Sequence, residues 1–351
     1  MADYEARVIA KSDINAWVRA LMANAEVVAP VAAHLDDVVF QPIAAPEQVA
    51  WDYENTIQPP KTFLFPQVEN IYRFQRNGDR SIEVEATVDR TKRVILGLRS
   101  CDVSGVLYMD NVFSQDNPDI YYLARRANTT LISLTCPTPF PWCFCVCSDA
   151  GPFLSSGYDV QLTDLGERVL AEVGSEKGQA AVDAAGNLFS PAGQDAIDRR
   201  NSLEAQAERI FYQRETNHMA SAMRRVSTAQ VKDELWEAMA PWCLGCGGCN
   251  FLCPCCFCFN MHDFPANGGG VRCRTWDSCA FPGLTREVSG HNPRPTRAER
   301  VERRFYHKLS YQYLEKEGLP GCVGCGRCVI TCLGTTTMPN ISEGIRRGTW
   351  R

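Results

Sequence analysis

The sequence predicts an α/β domain followed by a mainly α-helical domain organised around cysteine clusters. Three observations carry that expectation: unalternated apolar runs in the first 150 residues, a stretch over 194–240 without Gly or Pro, and an abrupt change to Cys, Gly and Pro from Cys243 onward. The chain accordingly divides into an α/β domain (1–193), a helical connector (194–240) and a cysteine-rich domain (241–351). Its 351 residues, 45% hydrophobic and 22% charged, suffice for one large or two ordinary domains and argue against disorder.

Ser12-Asp13 can cap a helix whose stripe Ile14, Trp17, Val18, Leu21 and Met22 has core spacing. Pro59-Pro60 breaks the chain before Phe63-Leu64-Phe65. Ile82, Val84, Ala86 and Val88 alternate with Glu83, Glu85 and Thr87, the pattern of a strand exposed on one face. Val94–Leu98 and Leu131–Leu134 do not alternate, as in strands buried on both faces, and each ends near a cysteine, Cys101 and Cys136. Residues 157–175 read as a hairpin, and 194–240 as one long helix or two shorter ones, stopped by Pro241. Thr296-x-x-Glu299 after Pro295 is a capping box. It opens a helix with Ala298, Val301, Phe305, Leu309 and Tyr313 on one face, ending near Gly318 and Pro320.

No apolar run approaches the ~18–20 residues of a membrane span, and Met1–Arg7 lacks the apolar core of a signal peptide. A cytoplasmic location is expected. In that reducing compartment the 18 cysteines point to metal rather than disulfides. Residues 241–351 hold 14 Lys and Arg against 8 Asp and Glu, whereas the first 240 hold 22 against 33. The overall acidity and the lack of a Lys-rich stripe disfavour nucleic acid as a partner for the basic third.

The strongest signal is Cys243-x2-Cys246-x2-Cys249-x3-Cys253-Pro254, repeated as Cys322-x2-Cys325-x2-Cys328-x3-Cys332. A tight Cys-x2-Cys-x2-Cys loop wraps three thiolates round one 4Fe-4S cubane, and the fourth cysteine reaches the other cluster. The expected sets are Cys243, Cys246, Cys249 and Cys332 for one cluster, and Cys322, Cys325, Cys328 and Cys253 for the other. Gly245, Gly247, Gly248, Gly324 and Gly326 supply the unusual backbone angles and free amides that such loops need. Structural zinc takes two well-separated Cys-x2-Cys knuckles instead, and four cysteines within eleven residues cannot all reach one ion. The 69 residues from Cys253 to Cys322 imply helices inserted between the runs. Each cubane with four thiolates carries about −2 when oxidised and −3 when reduced, so the basic third can offset buried clusters. Arg272, Arg274, Arg294, Arg297, Arg303, Arg304 and Arg327 are the candidates.

Cys101, Cys136, Cys143 and Cys145, with Cys147 spare, form a further set. If the two apolar runs are parallel neighbours, Cys101 and Cys136 emerge at the carboxyl edge of the sheet, where α/β proteins build their sites, and a third cluster there is chemically sensible. Buried small hydrophobes are the alternative for these cysteines. Cys255, Cys256, Cys258, Cys273 and Cys279 remain. Of these, Cys256, Cys258 and Cys279 can supply three ligands of a fourth centre, or else pack around the first two clusters.

Cys243-Leu-Gly-Cys-Gly-Gly-Cys249, Cys256-Phe-Cys258, Trp276-Asp-Ser-Cys279, Gly290-His-Asn292, His307-Lys308 and Cys322-Val-Gly-Cys-Gly-Arg-Cys328 resemble a known family. It is that of the 4Fe-4S electron-transfer subunits typified by those of anaerobic sulfite reductase and by the beta subunit of cytoplasmic sulfhydrogenase-type nickel–iron hydrogenases. The likeness continues upstream through Arg99-Ser-Cys-Asp102, Cys143-Phe-Cys145, Gly157-Tyr-Asp159, Leu162-Thr163 and Val173-Gly-Ser175. Ser100 stands where the family usually has proline, and Cys147, Cys255 and Cys273 are extra. The resemblance implies an electron-transfer subunit with a two-cluster helical-ferredoxin domain and a third cluster on Cys101, Cys136, Cys143 and Cys145. It would relay electrons between a flavin- and NAD(P)-binding partner and a catalytic subunit of hydrogenase or sulfite/sulfur reductase type.

The chain has no Gly-x-Gly-x-x-Gly after a strand and no Walker loop, which disfavours a self-contained dehydrogenase or ATPase. The five histidines are scattered and read as structural or surface residues, although His262 and His291 lie near the cysteines. Catalytic residues are therefore expected elsewhere, in a partner. The alternatives are a reductase centre of flavin or cluster type in the first domain, acting on a small sulfur compound, and an iron–sulfur sensor.

Overall fold

A computed structural model describes residues 5–35, 37–79, 81–213 and 218–350. The strands are β1 (Arg7–Ala10), β2 (Glu26–Ala32), β3 (Val38–Pro42), β4 (Val68–Arg76), β5 (Ile82–Ala86), β6 (Arg93–Leu98), β7 (Thr129–Leu134), β8 (Val160–Asp164), β9 (Arg168–Val173), β10 (Phe189–Pro191), β11 (Phe259–Ala266) and β12 (Gly269–Trp276). Eight of them form one sheet in the order β10-β1-β9-β8-β7-β6-β2-β3. Its centre, β2-β6-β7-β8, is parallel, and its flanks are antiparallel.

Both apolar runs are central strands. All of β6 is buried, with Val94 and Leu96 packing on one face and Ile95 and Leu98 on the other. The first face is covered by the helices Ile14–Met22 and Glu176–Asp183, where the Trp17 indole N–H donates to the Ala181 carbonyl at 2.7 Å. Asp13 occupies the N-cap of the first helix but makes no side-chain cap bond. The second face is covered by Ser100–Phe113 and Ile120–Ala127. The hairpin expected over 157–175 is the antiparallel pair β8–β9. Among the described residues of 194–240 there are three helices, Gln194–Tyr212, Met219–Ser227 and Asp233–Met239, followed by a turn containing Pro241.

A mainly helical cysteine-rich domain is only part of what the chain builds there. Helices Met219–Ser227, Asp233–Met239, Arg297–Leu309 and Met338–Arg347 do pack round Val301, Phe305, Leu309 and Ile341. The capping box at Thr296 and Glu299 forms as expected. The helix breaks at Ser310 and restarts as Tyr311–Glu317, closed by Gly318 at φ +74°. Between the cysteine runs, however, lies the long hairpin β11–β12. It joins the upstream hairpin β4–β5 in a four-stranded antiparallel sheet of order β11-β12-β4-β5. A buried ion-pair network fastens this seam: Arg274 binds Glu69 and Asp119, and Arg125 also binds Glu69. β5 differs from the half-buried strand its alternation suggests, because as an edge strand of a thin sheet it leaves both Ile82 and Val84 exposed. Among the described residues no helix is long and apolar enough to cross a membrane.

Candidate iron–sulfur sites

The two cysteine runs adopt the same backbone path. In each, two glycines take left-handed angles, Gly245 and Gly247 at φ +69° and +75°, Gly324 and Gly326 at +61° and +77°. The second glycine of each pair opens a short helical turn, Gly248–Phe251 and Arg327–Thr331. The turns lie against each other, with the Cβ position of Gly248 at 3.3 Å from Thr331 Cγ2. The chain just past Cys332 meets the start of the first run so closely that a Cβ on Gly334 would overlap the Trp242 carbonyl oxygen. Cys332 Sγ lies 3.4 Å from Thr336 Oγ1, and Thr336 lines the same small cavity as Cys243 and Cys249. Cys253 stands with the other run, among the groups acting on Cys322 and Cys325. Burial pushes both of those thiols up to about 12, so iron would displace protons on binding.

Because β6 and β7 are parallel neighbours, Cys101, at the start of the helix after β6, and Cys136, just past β7, leave the sheet at one edge. Cys143 and Cys145 come from the following loop, and all four line a single cavity. Cys325 of the second run borders that cavity too. The loops are docked: Phe144 N–H donates to the Gly324 carbonyl at 2.7 Å, and a Cβ on Gly324 or Gly326 would strike the backbone of Phe144 or Trp142. Beside them the Arg327–Asp102 pair is fully buried, at 2.7 Å, and Arg327 also donates to the carbonyl and hydroxyl of Thr56.

The remaining cysteines do not gather as one set. Cys258 bonds to Cys279, whose Sγ also accepts from Asn250 Nδ2 at 2.9 Å, and these bonds draw Cys279 down to about 5. Cys256 and Cys255 bond to Cys253 instead. Cys273 faces Asn70 across the sheet at 3.1 Å, and Cys147 packs in the helical layer. Among the described residues no three thiols, imidazoles or carboxylates meet closely enough to hold one metal ion. A tetrahedral zinc, with Zn–S of about 2.3 Å, needs such close convergence, whereas a cubane is gripped from four corners.

Beside Arg327, four more buried cations border these thiols, and of those four only Lys61 lies outside the motifs and candidates of the sequence. Arg304 faces Cys249, Cys328, Cys256 and Cys279. Lys308 faces Cys253, Cys256 and Cys255, and donates to the Gly321 carbonyl at 2.5 Å. Burial works against both charges, but the thiols override it and hold both above their ordinary values. Lys61 reaches Cys253 and Cys256 from far upstream, and burial pulls it below its ordinary value. Arg99 lies between Cys136 and Cys101, its guanidinium 4.0 Å from the Tyr53 ring centroid. The Nε atoms of Arg99 and Arg304 are buried without a hydrogen-bond partner. Orphaned buried donors beside clustered thiols fit an anionic sulfide-bearing group. Of the arginines expected near clusters, Arg297 lines the Cys243–Cys249 cavity, but Arg274 is taken by Glu69 and Asp119, Arg272 by Asp263, and Arg303 by Tyr313. Two of the histidines are engaged by other groups, His307 by Glu317 and Tyr108, and His262 by Thr275.

Paired glycine-wound cysteine loops with buried cations define a class, the iron–sulfur electron-transfer proteins with two 4Fe-4S clusters. Residues 242–336 match the 4Fe-4S dicluster domain family. The chain is also 31% identical over 315 residues to sulfhydrogenase 2 subunit beta of Pyrococcus furiosus, covering 88% of this chain and 89% of that protein. It belongs to the 4Fe-4S family of sulfhydrogenase-type beta subunits.

Proposed function

We propose that the chain relays single electrons inside a cytoplasmic multisubunit oxidoreductase, between a flavin- and NAD(P)-binding partner and a catalytic subunit of hydrogenase or sulfite/sulfur reductase type. One cluster takes Cys243, Cys246, Cys249 and Cys332, and a second takes Cys322, Cys325, Cys328 and Cys253. The closeness of Gly334 to Trp242, and of Cys253 to Cys322 and Cys325, supports that exchange of fourth ligands. A third cluster takes Cys101, Cys136, Cys143 and Cys145, with Arg99 beside it. Cys258 and Cys279 bond to each other and Cys256 bonds to Cys253, which favours packing of these cysteines around the ferredoxin pair over a fourth centre. The clusters, when present, supply reversible one-electron chemistry, and the protein fixes their spacing, charge and dryness.

The observation that carries the reading is Cys325, which belongs to a ferredoxin-type run yet borders the four-cysteine cavity of the α/β part. Relay requires such continuity. The test is anaerobic reduction of the reconstituted chain followed by mixing with an oxidised one-electron acceptor. All clusters should bleach and recover together, without hydrogen or sulfur-compound turnover by the chain alone. A cluster set in the α/β part that stays reduced while the ferredoxin pair reoxidises would defeat the relay.

One observation favours a second reading, a reductase centre in the α/β part. A cavity of about 650 Å³ at the carboxyl edge of β7 and β8 shares Glu54, Arg99 and Cys136 with the four-cysteine site. Consumption of a small sulfur compound by the isolated reduced chain would select it.

A further inference from the structure

The cation clamped to the first cysteine run comes from nearly two hundred residues away. Lys61 sits on the short turn Pro60–Phe63, fixed by the preceding Pro59, and is buried. Its Nζ donates to the carbonyls of Cys253 at 2.7 Å and Cys256 at 2.8 Å, with that of Asn250 at 3.4 Å. The ammonium also lies 4.3 Å from the centroid of the Trp276 ring. The three carbonyls satisfy its donors but supply no formal counter-charge, which leaves the neighbouring cysteine sulfurs to face it. The groups acting most strongly on its charge are the thiols of Cys256, Cys253 and Cys255, which favour it, and the ammonium of Lys308, which opposes it. A buried ammonium held against a second buried ammonium is costly, and it is retained where a resident anion faces both. A cubane at about −2 or −3 is such an anion.

We propose that Lys61 is a positioning residue of the iron–sulfur relay, clamping the Cys253–Cys256 turn and raising the reduction potential of the cluster that takes Cys253. The proposal rests on the two-cluster reading with exchanged fourth ligands. Its electrostatics are one-directional: reduction adds an electron to the cluster, and a nearby fixed positive charge favours the more negative state. The clamp also explains why the turn closes around an upstream residue: without Lys61 the carbonyls of Cys253 and Cys256 lose their common donor.

The test uses the full-length chain, reconstituted anaerobically, as wild type, Lys61→Met and Lys61→Arg. Iron content is measured first, then an EPR-monitored redox titration. Lys61→Met should keep the wild-type iron content while one cluster becomes harder to reduce. At its wild-type midpoint the ratio of reduced to oxidised cluster should fall about tenfold, equivalent to 59 mV for one electron. Lys61→Arg should restore most of the shift. If Lys61→Met loses iron, Lys61→Gln, which keeps a donor but no charge, takes its place in the same titration. Iron-loaded Met or Gln variants with unchanged midpoints would overturn the proposal, as would equal loss of iron from the Met, Gln and Arg variants. Fewer than about eight irons in the wild-type chain would overturn the two-cluster reading itself, a result separable from any effect of Lys61.

Discussion

Replacing Asp102 by Ala should destabilise the protein at the point where the α/β part meets the second cysteine run. Arg327 is fully buried and makes four hydrogen bonds, two to Asp102 at 2.7 and 3.2 Å and two to Thr56 at 2.8 and 2.9 Å. Asp102→Ala removes the two charge-assisted bonds, about 1.5–3 kcal/mol each. It also leaves a guanidinium unpaired in the interior, and one-sided removal of a buried ion pair costs about 3–5 kcal/mol. The two routes agree on roughly 3–5 kcal/mol. Urea unfolding of the anaerobic protein, followed by circular dichroism, reads the effect. With a slope of about 2–3 kcal/mol/M, the midpoint should fall by about 1–2.5 M. The double variant Asp102→Ala/Arg327→Met removes both charges and should be less destabilised than Asp102→Ala alone. A midpoint shift below about 0.3 M, or a double variant worse than both single ones, would refute the reasoning.

Three further outcomes are expected. Cys136→Ala should lower the iron content by about four per chain, by removing the α/β cluster while leaving the ferredoxin pair, as read by iron and sulfide analysis. Cys253→Ala should abolish the EPR signal of the cluster held by Cys322, Cys325 and Cys328, not that of the neighbouring run; loss of the neighbouring signal would rule out ligand exchange. Gly324→Ala should cost more than about 2 kcal/mol and loosen the docking of the two loops. The backbone there is left-handed at φ +61°, and a Cβ would sit 2.5 Å from the Phe144 carbonyl group. Limited proteolysis in the 142–148 loop reports the loosening.

The fold was legible wherever local pattern and burial agree. Val94–Leu98 and Leu131–Leu134 read as buried strands because helices cover both faces of the sheet, and their parallel pairing brings Cys101 and Cys136 to one edge. The Thr296 helix was legible from its cap and stripe. The β11–β12 hairpin carries a local signal too, Phe259-Asn260-Met261-His262 and Val271-Arg272-Cys273-Arg274 alternating about Asn267-Gly268, but no apolar face marks it as core: β11 is exposed throughout, and Arg274 fastens β12 to Glu69. The same pair explains why Arg274 is unavailable to the clusters. Lys61 is illegible in the sequence for a different reason. A buried lysine looks in sequence like any surface lysine, and only tertiary contact shows that Lys61 reaches the Cys253–Cys256 turn. The cysteine runs were the clearest feature, since their spacing alone encodes the loop geometry that Gly245, Gly247, Gly324 and Gly326 adopt.

The central claim is that this chain holds cubane clusters in its cysteine loops and in the α/β edge site. Combined iron, acid-labile sulfide and zinc analysis of the anaerobically purified protein addresses it most directly. About twelve irons with matching sulfide per chain, and no stoichiometric zinc, is the predicted result. Colourless protein carrying zinc and no labile sulfide would contradict the account at its root.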